Sequence, residues 1–327
     1  MKIEYGKIRK TRLEADLTQK ELAEKSGVNL SVIKAVETGR GADRGNIEGL
    51  CAALGLPVEE VYLDNFRDTR VISIVNNKGG CGKTSVCGSL AYVLAENGYR
   101  ILLIDADAQR NLTSSYGMKK DAMHLGRAIE REESLADGYI RPTPYENIDM
   151  VAADASMGTL DMLMFTKMHR ENLVRQALQG VVAAGTYDFI LIDTNPNLSL
   201  LNFNVVNASD FVLIPVQMAS FDVEGIGTVV DFIRGIQKFN PNVNIMGIVI
   251  NKYDMRTRSI TEAAEKELQR IYGDLIFDTY IKIDVKIQNA QWENKPVFAM
   301  GSSRVAREYR SLAKEVLARV KAEGLAV

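Results

Sequence analysis

The chain has 327 residues, of which 46% are hydrophobic and 25% charged, and its formal net charge is -2. This composition supports a buried core and excludes both global disorder and a polycationic coat, so any nucleic-acid surface must be local. No apolar run reaches the roughly 18 residues of a membrane-spanning helix, the first residues MKIEYGKIRK lack an apolar signal core, and the three cysteines (Cys51, Cys81, Cys87) show no metal-ligand spacing, which fits a reduced cytoplasm.

The length suggests two domains, one of them small. Residues 1–63 are expected to form short helices separated by tight turns. Within LTQKELAEKSGVNLSVIKAVETGR (Leu17–Arg40), Leu22 and Ala23 are the apolar positions of one helix. Gly27 suits the positive φ of the turn. Asn29 can cap the next helix, whose core face is Val32, Ile33 and Val36, with Glu37 and Gly39 at its end. Together with the following NIEGLCAALGLPVEEVY, this layout resembles the lambda-repressor-like helix-turn-helix family. The resemblance implies that the second helix of the motif enters a DNA major groove, with Asn29, Leu30, Ser31 and Lys34 at the reading positions. Leu30 is apolar and would meet something like a thymine methyl. Residues 1–69 hold 11 Lys and Arg against 12 Asp and Glu, a net of -1, which leaves protein docking as the alternative. Lys7, Arg9, Lys10 and Arg12, with Lys34, Arg40 and Arg44, allow a local basic face. The polar stretch around residues 64–70 is expected to be a linker, and residues 71–327 a second domain.

That second domain alternates strands and helices. VISIVN, RILLID, YDFILID, FVLIPV and NVNIMGIVIN are continuous apolar runs, and Lys83–Glu96 and Val223–Phe239 have helical patterns. Such strands imply an α/β fold: a doubly wound, mostly parallel sheet covered on both faces, with ligands beyond the carboxyl ends of the strands. The first strand leads through KGGCGKT (Lys78–Thr84) into a helix. A glycine-rich turn lets backbone N–H groups close on phosphate oxygens, and a helix N-terminus adds positive potential. Gly79, Gly80, Cys81, Gly82, Lys83, Thr84 and Ser85 are therefore the candidate phosphate loop, with Lys83 on the β- and γ-phosphates and Thr84 on Mg²⁺. Cys81 reads as a small loop filler and Cys87 as helix packing.

KGGCGKT resembles the deviant Walker A motif of the ParA/MinD family of P-loop ATPases. The resemblance implies that Lys78 crosses a homodimer interface to the partner's nucleotide, adding charge where phosphoryl transfer needs it; taken alone, it could be a solvated residue at a strand end. RILLIDADAQRNLTSSYG resembles the second motif, which implies that Asp107 orients the attacking water and Asp105 supports Mg²⁺ through water. YDFILIDTNPNLS resembles the Walker B strand, with Asp193 in the Mg²⁺ shell. FVLIPVQMASFDVEGIGTVVDFI resembles the family's next strand and helix, which implies that Pro215 and Asp222 lie near the nucleotide and dimer interface, and GIVINKYDMRTR resembles the strand whose end receives the base, which implies Asn251 as the adenine candidate. Asn251-Lys252-Tyr253-Asp254 also fits the guanine-reading pattern N-K-x-D, but the accompanying motifs favour ATP. Three positions depart from the family: Ala108 for proline, Arg110 for glycine, and Asn195 for the first of two prolines.

Within the family, no cysteine pair could hold a cluster, and the last helix, about 303–323, reads as core packing and not as a membrane anchor. Residues 250–327 hold 14 Lys and Arg against 11 Asp and Glu, a net of +3. Arg256, Arg258, Lys282, Lys286, Arg304 and Arg307 are candidates for sequence-independent phosphate contacts, the alternative for each being a solvated charged face. The resemblance thus implies a cytoplasmic, nucleoid-associated partition ATPase. ATP and Mg²⁺ would close its dimer on DNA, a centromere-binding ParB-type partner would stimulate hydrolysis, and the N-terminal domain would bind an operator. An ATP-responsive transcriptional regulator and a cargo-positioning ATPase are the alternatives.

Overall fold

Strand β1 (Lys2–Ile3) and helix α1 (Tyr5–Glu14) open the chain. Thr18 then starts α2 (Gln19–Ser26) with a reciprocal cap: its hydroxyl accepts from Glu21 N–H, and the Glu21 carboxylate accepts from Thr18 N–H. Gly27, at φ 69°, ends that helix. Asn29 caps α3 (Leu30–Glu37), and Asp43 caps α4 (Arg44–Leu54). A single turn, α5 (Val58–Val61), leads to β2 (Tyr62–Leu63), which pairs antiparallel with β1. This closing pair was absent from the all-helical expectation because two-residue strands leave no periodicity. Ile8, Leu22, Ile33, Val36, Ile47, Leu50 and Cys51 are fully buried and form the core of this unit.

The computed structural model describes residues 2–40, 42–63, 67–218, 223–301 and 303–322. The chain divides into two units, Met1–Phe66 and Arg67–Val327. Arg67 N–H donates to the Gly185 carbonyl, and the Thr69 hydroxyl donates to Tyr187. The end of the expected 64–70 linker is thus tied into the second unit, whose first strand already begins at Arg70.

The second unit runs β3 (Arg70–Ile74), α6 (Lys83–Glu96), β4 (Ile101–Ala106), α7 (Asn111–Ser115), α8 (Leu125–Arg131), β5 (Arg141–Pro142), β6 (Ile148–Val151), α9 (Leu160–Phe165), α10 (Leu173–Ala184), β7 (Phe189–Thr194), α11 (Leu200–Asn207), β8 (Phe211–Gln217), α12 (Val223–Ile236), β9 (Asn244–Asn251), α13 (Arg258–Tyr272), α14 (Val285–Trp292) and α15 (Arg304–Ala322). The sheet order is β5-β6-β4-β7-β3-β8-β9. All neighbours are parallel except β5 and β6. Expected strands β3, β4, β7, β8 and β9 are present; β5 and β6 are additions, too short for an apolar run. Alternate residues of the central strands enter opposite cores, Ile72, Leu103 and Leu191 packing with α6 and α15, and Leu102, Ile104 and Ile190 with α8 and α10. Among the described residues no helix is long and apolar enough to cross a membrane.

Candidate functional site

β3 is central, and its carboxyl end delivers the loop 75–82 between β7 and β8. Gly80 and Gly82 hold φ values of 75° and 95°, a region that side chains resist. A Cβ on Gly82 would lie 2.0 Å from Asn251 Nδ2. Asn76, buried, braces the loop: its Nδ2 donates to the Pro215 carbonyl at 2.7 Å, and its Oδ1 accepts from Lys78 N–H at 2.8 Å. Asn251, also buried, donates Nδ2 to the Cys81 carbonyl at 2.8 Å. Lys83 is buried at the start of α6, and its ammonium donates to the Lys78 carbonyl at 3.1 Å.

This loop forms one wall of a cleft of about 560 Å³. Gly79, Gly80, Gly82, Lys83, Thr84 and Ser85 line it, as does Asp107. Cys81, Asn251 and Pro215 do not; Cys81 is buried, with a thiol pushed up by burial, and the other two brace the loop from behind. The opposite wall comes from α14 and the turn after it, including Ile287, Ala290 and Val297. Sequence reading missed this wall, because apolar residues in a short helix look like ordinary packing. Thr194 and Lys295 also line the cleft and had not been singled out, and Lys252 of the N-K-x-D stretch lines it too. Asp222 and the Arg258 side chain lie outside the described residues.

The parallel register of β4 and β7 sets Asp105 opposite Asp193 at the foot of the loop. Both are fully buried. Asp105 accepts from Thr113 N–H (2.8 Å), the Thr113 hydroxyl (2.7 Å) and Asp107 N–H (3.1 Å). Burial nevertheless raises its pKa to about 6, against the opposing effect of those donors. Asp193 is pushed well above the ordinary carboxylate range by burial and then by the Asp105 charge. Neither of its oxygens has a hydrogen-bond partner. The Thr84 hydroxyl and Lys83 draw its pKa down, the hydroxyl without reaching hydrogen-bond geometry with those oxygens. An orphaned buried carboxylate is costly unless a cation or donor satisfies it. Two carboxylates and a hydroxyl beside a phosphate loop fit a hydrated Mg²⁺, which takes few protein ligands.

Asp107 sits above this pair, its Oδ1 accepting from Gln109 N–H at 2.9 Å. Arg110, where a glycine was expected from the family pattern, adopts φ 60° and ψ 29° and heads α7. At the end of β7, Thr194 donates to the Ile74 carbonyl, and in the loop that follows Asn195 Oδ1 accepts from Asn197 N–H at 3.0 Å. At the N-K-x-D stretch, the Asp254 carboxylate is occupied by Arg256, which donates from its backbone, Nε and Nη2 and lowers the Asp254 pKa to about 2. Guanine recognition would require that carboxylate.

The nucleic-acid candidates fall in two places. On α3, Asn29, Ser31 and Lys34 are exposed and Leu30 is half-buried. Asn29 Oδ1 is committed to Ser31 N–H and its hydroxyl, both at 2.9 Å. In the second unit, Tyr253 bridges Lys282, and Arg304 donates to the Ile283 carbonyl, so Arg256, Lys282 and Arg304 gather at the carboxyl end of β9. Lys282 and Arg304 also face Glu308, at 3.5 and 3.6 Å. Lys286 is half-buried, and Arg307 is exposed on α15.

A family profile described as an AAA domain matches residues 69–245, and one described as helix-turn-helix matches residues 8–61. The chain is 34% identical over 252 residues to the sporulation initiation inhibitor protein Soj of Bacillus subtilis, covering 76% of this chain and 98% of that one. It is 32% identical over 254 residues to the chromosome partitioning protein ParA of Caulobacter vibrioides, covering 76% and 94%. Among solved structures, cobyrinic acid a,c-diamide synthase from Mycobacterium smegmatis with bound ADP and magnesium superposes with a TM-score of 0.67 at 25% identity, covering 78% and 96%. With its loop, paired aspartates and sheet order, the chain belongs to the ParA/MinD-type family of P-loop ATPases and carries a helix-turn-helix domain at its N-terminus.

Proposed function

We propose that this chain is a DNA-partition ATPase whose ATP-bound form is a sandwich dimer. The observation that carries this reading is the pair of lysines in one loop. Lys83 lines the cleft of its own chain, whereas Lys78 does not. A second lysine outside its own cleft suits a role in trans: positive charge brought to a partner's phosphates as negative charge builds in the transition state. Bound Mg²⁺ would neutralise charge on the β- and γ-phosphates, with Thr84, Asp193 and Asp105 holding it and its water shell. Asp107 would orient the attacking water, held in place by Gln109 N–H. The occupied Asp254 carboxylate supports ATP over GTP, and Asn251 supports the phosphate loop from behind through the Cys81 carbonyl. Structures of a similar protein with ADP and magnesium, and with an ATP analogue and magnesium, support an adenine nucleotide with Mg²⁺.

The match to Soj spans nearly all of that protein but three quarters of this one. The helix-turn-helix unit is the natural seat of operator binding, with α3 as reader. The basic residues near β9 and α15 would give nucleotide-dependent, sequence-independent contacts to nucleoid DNA. A ParB-type partner on a centromere would stimulate hydrolysis. That α3 keeps an exposed polar face also supports the rival reading, an ATP-responsive transcriptional regulator without a segregation role.

The test is Lys78→Ala, studied by sedimentation and ATP turnover. ATP with Mg²⁺ should dimerise the wild type, and the variant should keep ATP binding but lose most turnover, on the order of 10³-fold if Lys78 acts as a charge finger. Wild-type turnover in the variant would remove the trans role. Sequence-specific DNA binding without any nucleotide-dependent binding to random DNA would favour the regulator.

A further inference from the structure

The loop after β7 departs from the family pattern at Asn195, yet the structure holds it closely. Asn195 Oδ1 accepts from Asn197 N–H at 3.0 Å, a local turn of the kind asparagine favours. A second asparagine reaches it from the first turn of α11. Asn202 is fully buried. Its Nδ2 donates to the Asn195 carbonyl at 2.9 Å, to the Asn197 carbonyl, and at 3.2 Å to Asn195 Oδ1. Three acceptors surround one nitrogen and none of them donates, so the amide orientation is fixed by its surroundings. The Asn202 Oδ1 on the other side is buried without a partner. With its own oxygen unsatisfied, this side chain contributes to the fold through its nitrogen.

The turn it holds belongs to the cleft. Thr194 and Pro196 line the cleft with Asp107 and the phosphate loop. Thr194 is fixed from the other side by its bond to Ile74, the last residue of β3. The segment 194–197 therefore has two anchors, Ile74 at its start and Asn202 across its bend.

We propose that Asn202 is a positioning residue for ATP hydrolysis. Its amide sets the curvature of the 195–197 turn, as a proline at 195 would by fixing φ. Asn195 and Asn202 form one device, in which side-chain hydrogen bonds replace the stiffness of a second proline. This inference rests on the ATPase reading above.

Four full-length variants test it: Asn202→Ala, Asn195→Ala, Asn195→Pro and the double variant of Asn202→Ala with Asn195→Pro. Two readouts are used, hydrogen exchange of the nucleotide-free protein and steady-state hydrolysis of ATP with Mg²⁺. In Asn202→Ala the amide of Asn197 should lose at least about tenfold of its protection while the β4 and β7 amides keep theirs. Its kcat should fall about tenfold, with ATP affinity changed less than about twofold, because the turn faces the reacting end and the phosphate loop is untouched. Adding Asn195→Pro should restore most of the kcat. A wild-type kcat in Asn202→Ala would overturn the proposal. So would a double variant no faster than Asn202→Ala, since the amide would then not act through the turn. If Asn202→Ala loses protection throughout the sheet, Asn195→Ala set against Asn195→Pro decides: a kcat at least about threefold higher in the proline variant supports a stiff turn, and an equal or lower kcat overturns it. Absence of hydrolysis in the wild type would instead overturn the ATPase reading.

Discussion

At the scale of single residues, the loops around the cleft combine tight fixation with local cost. Arg110 shows the cost. Its φ of 60° lies in the left-handed region, where a Cβ crowds the following carbonyl. Its Nε is buried without a partner. Nothing in the described structure compensates for either. Arg110→Gly should relieve the backbone strain and remove the orphaned donor, offset by the greater unfolded-state entropy of glycine. The net expectation is a gain of about 1 kcal/mol in unfolding free energy, checked by denaturant titration with an unchanged m-value. A loss of stability would mean that the arginine makes contacts outweighing its backbone. The Ala108 departure has no such signature; Ala108 packs with the α8 and α10 core.

Secondary-structure elements are held together by a few buried polar clamps. In the first unit, Arg12 of α1 donates Nε to Glu37 of α3 at 2.5 Å and Nη2 at 3.0 Å, and Gln19 of α2 adds a donor at 2.8 Å. Burial opposes ionisation of Glu37, but these hydrogen bonds and the Arg12 charge outweigh it, so its pKa lies below the usual 4.5. The folded value being the lower one, the contribution of this pair is present above about pH 4.5 and is lost as the pH falls through the folded pKa. Arg12→Ala would leave the Glu37 carboxylate without its charged partner, with Gln19 as its remaining donor, and should cost roughly 3 kcal/mol. Glu37→Gln should flatten the acid limb of the stability profile; an unchanged limb would place the dependence elsewhere. In the second unit, Arg319 of α15 lies 4.0 Å from the Phe277 ring centroid and donates to the Met246, Leu275 and Ile276 carbonyls. Gly247 of β9 makes room for this plug. A Cβ there would lie 2.2 Å from Arg319 Nη1, 2.6 Å from the Leu275 carbonyl oxygen and 2.7 Å from Phe277 Cε2. Because one neighbour is backbone, Gly247→Ala should destabilise by roughly 2–3 kcal/mol, and Arg319→Ala should recover only part of that in a double-mutant cycle.

For the whole molecule, two separate units carry two kinds of surface. The α3 face exposes the short polar side chains Asn29 and Ser31 beside Lys34, whereas the residues near β9 are long cations already tethered to Asp254, Ile283 and Glu308. Base-edge contacts discriminate by about 1–3 kcal/mol per position. Backbone contacts instead set salt dependence, about one unit of salt slope per lost contact. Deleting residues 1–63 should therefore abolish operator preference and leave ATP-dependent binding to random DNA. Arg256→Glu with Arg307→Glu should do the reverse. Arg307 serves better than Arg304 here, because Arg304 also donates to the Ile283 carbonyl. Fluorescence anisotropy on operator and random duplexes, over a salt series, measures both. Loss of random-DNA binding on deletion would place both modes in one domain.

How much of this was legible in the sequence follows from how local each feature is. The phosphate loop, the Asn29-capped helix α3 and the apolar strands are written in neighbouring residues, because glycine φ, caps and continuous burial act within a few positions. Asp105 and Asp193 could be named but not paired; the register of β4 on β7 pairs them across 88 residues of chain. The α14 wall of the cleft, the Asn76–Pro215 and Asn251–Cys81 braces, the Asp254–Arg256 pair and the Asn202 clamp depended on folding. Most of these join residues remote in sequence, and even the local ones show their partners only once the backbone is in place. Asparagine has no periodicity to betray its role, since one amide serves equally in a turn, a cap or a brace until tertiary structure supplies its acceptors. The sequence thus determined which chemistry the chain carries, and the tertiary structure decided which side chains aim that chemistry and which only support it.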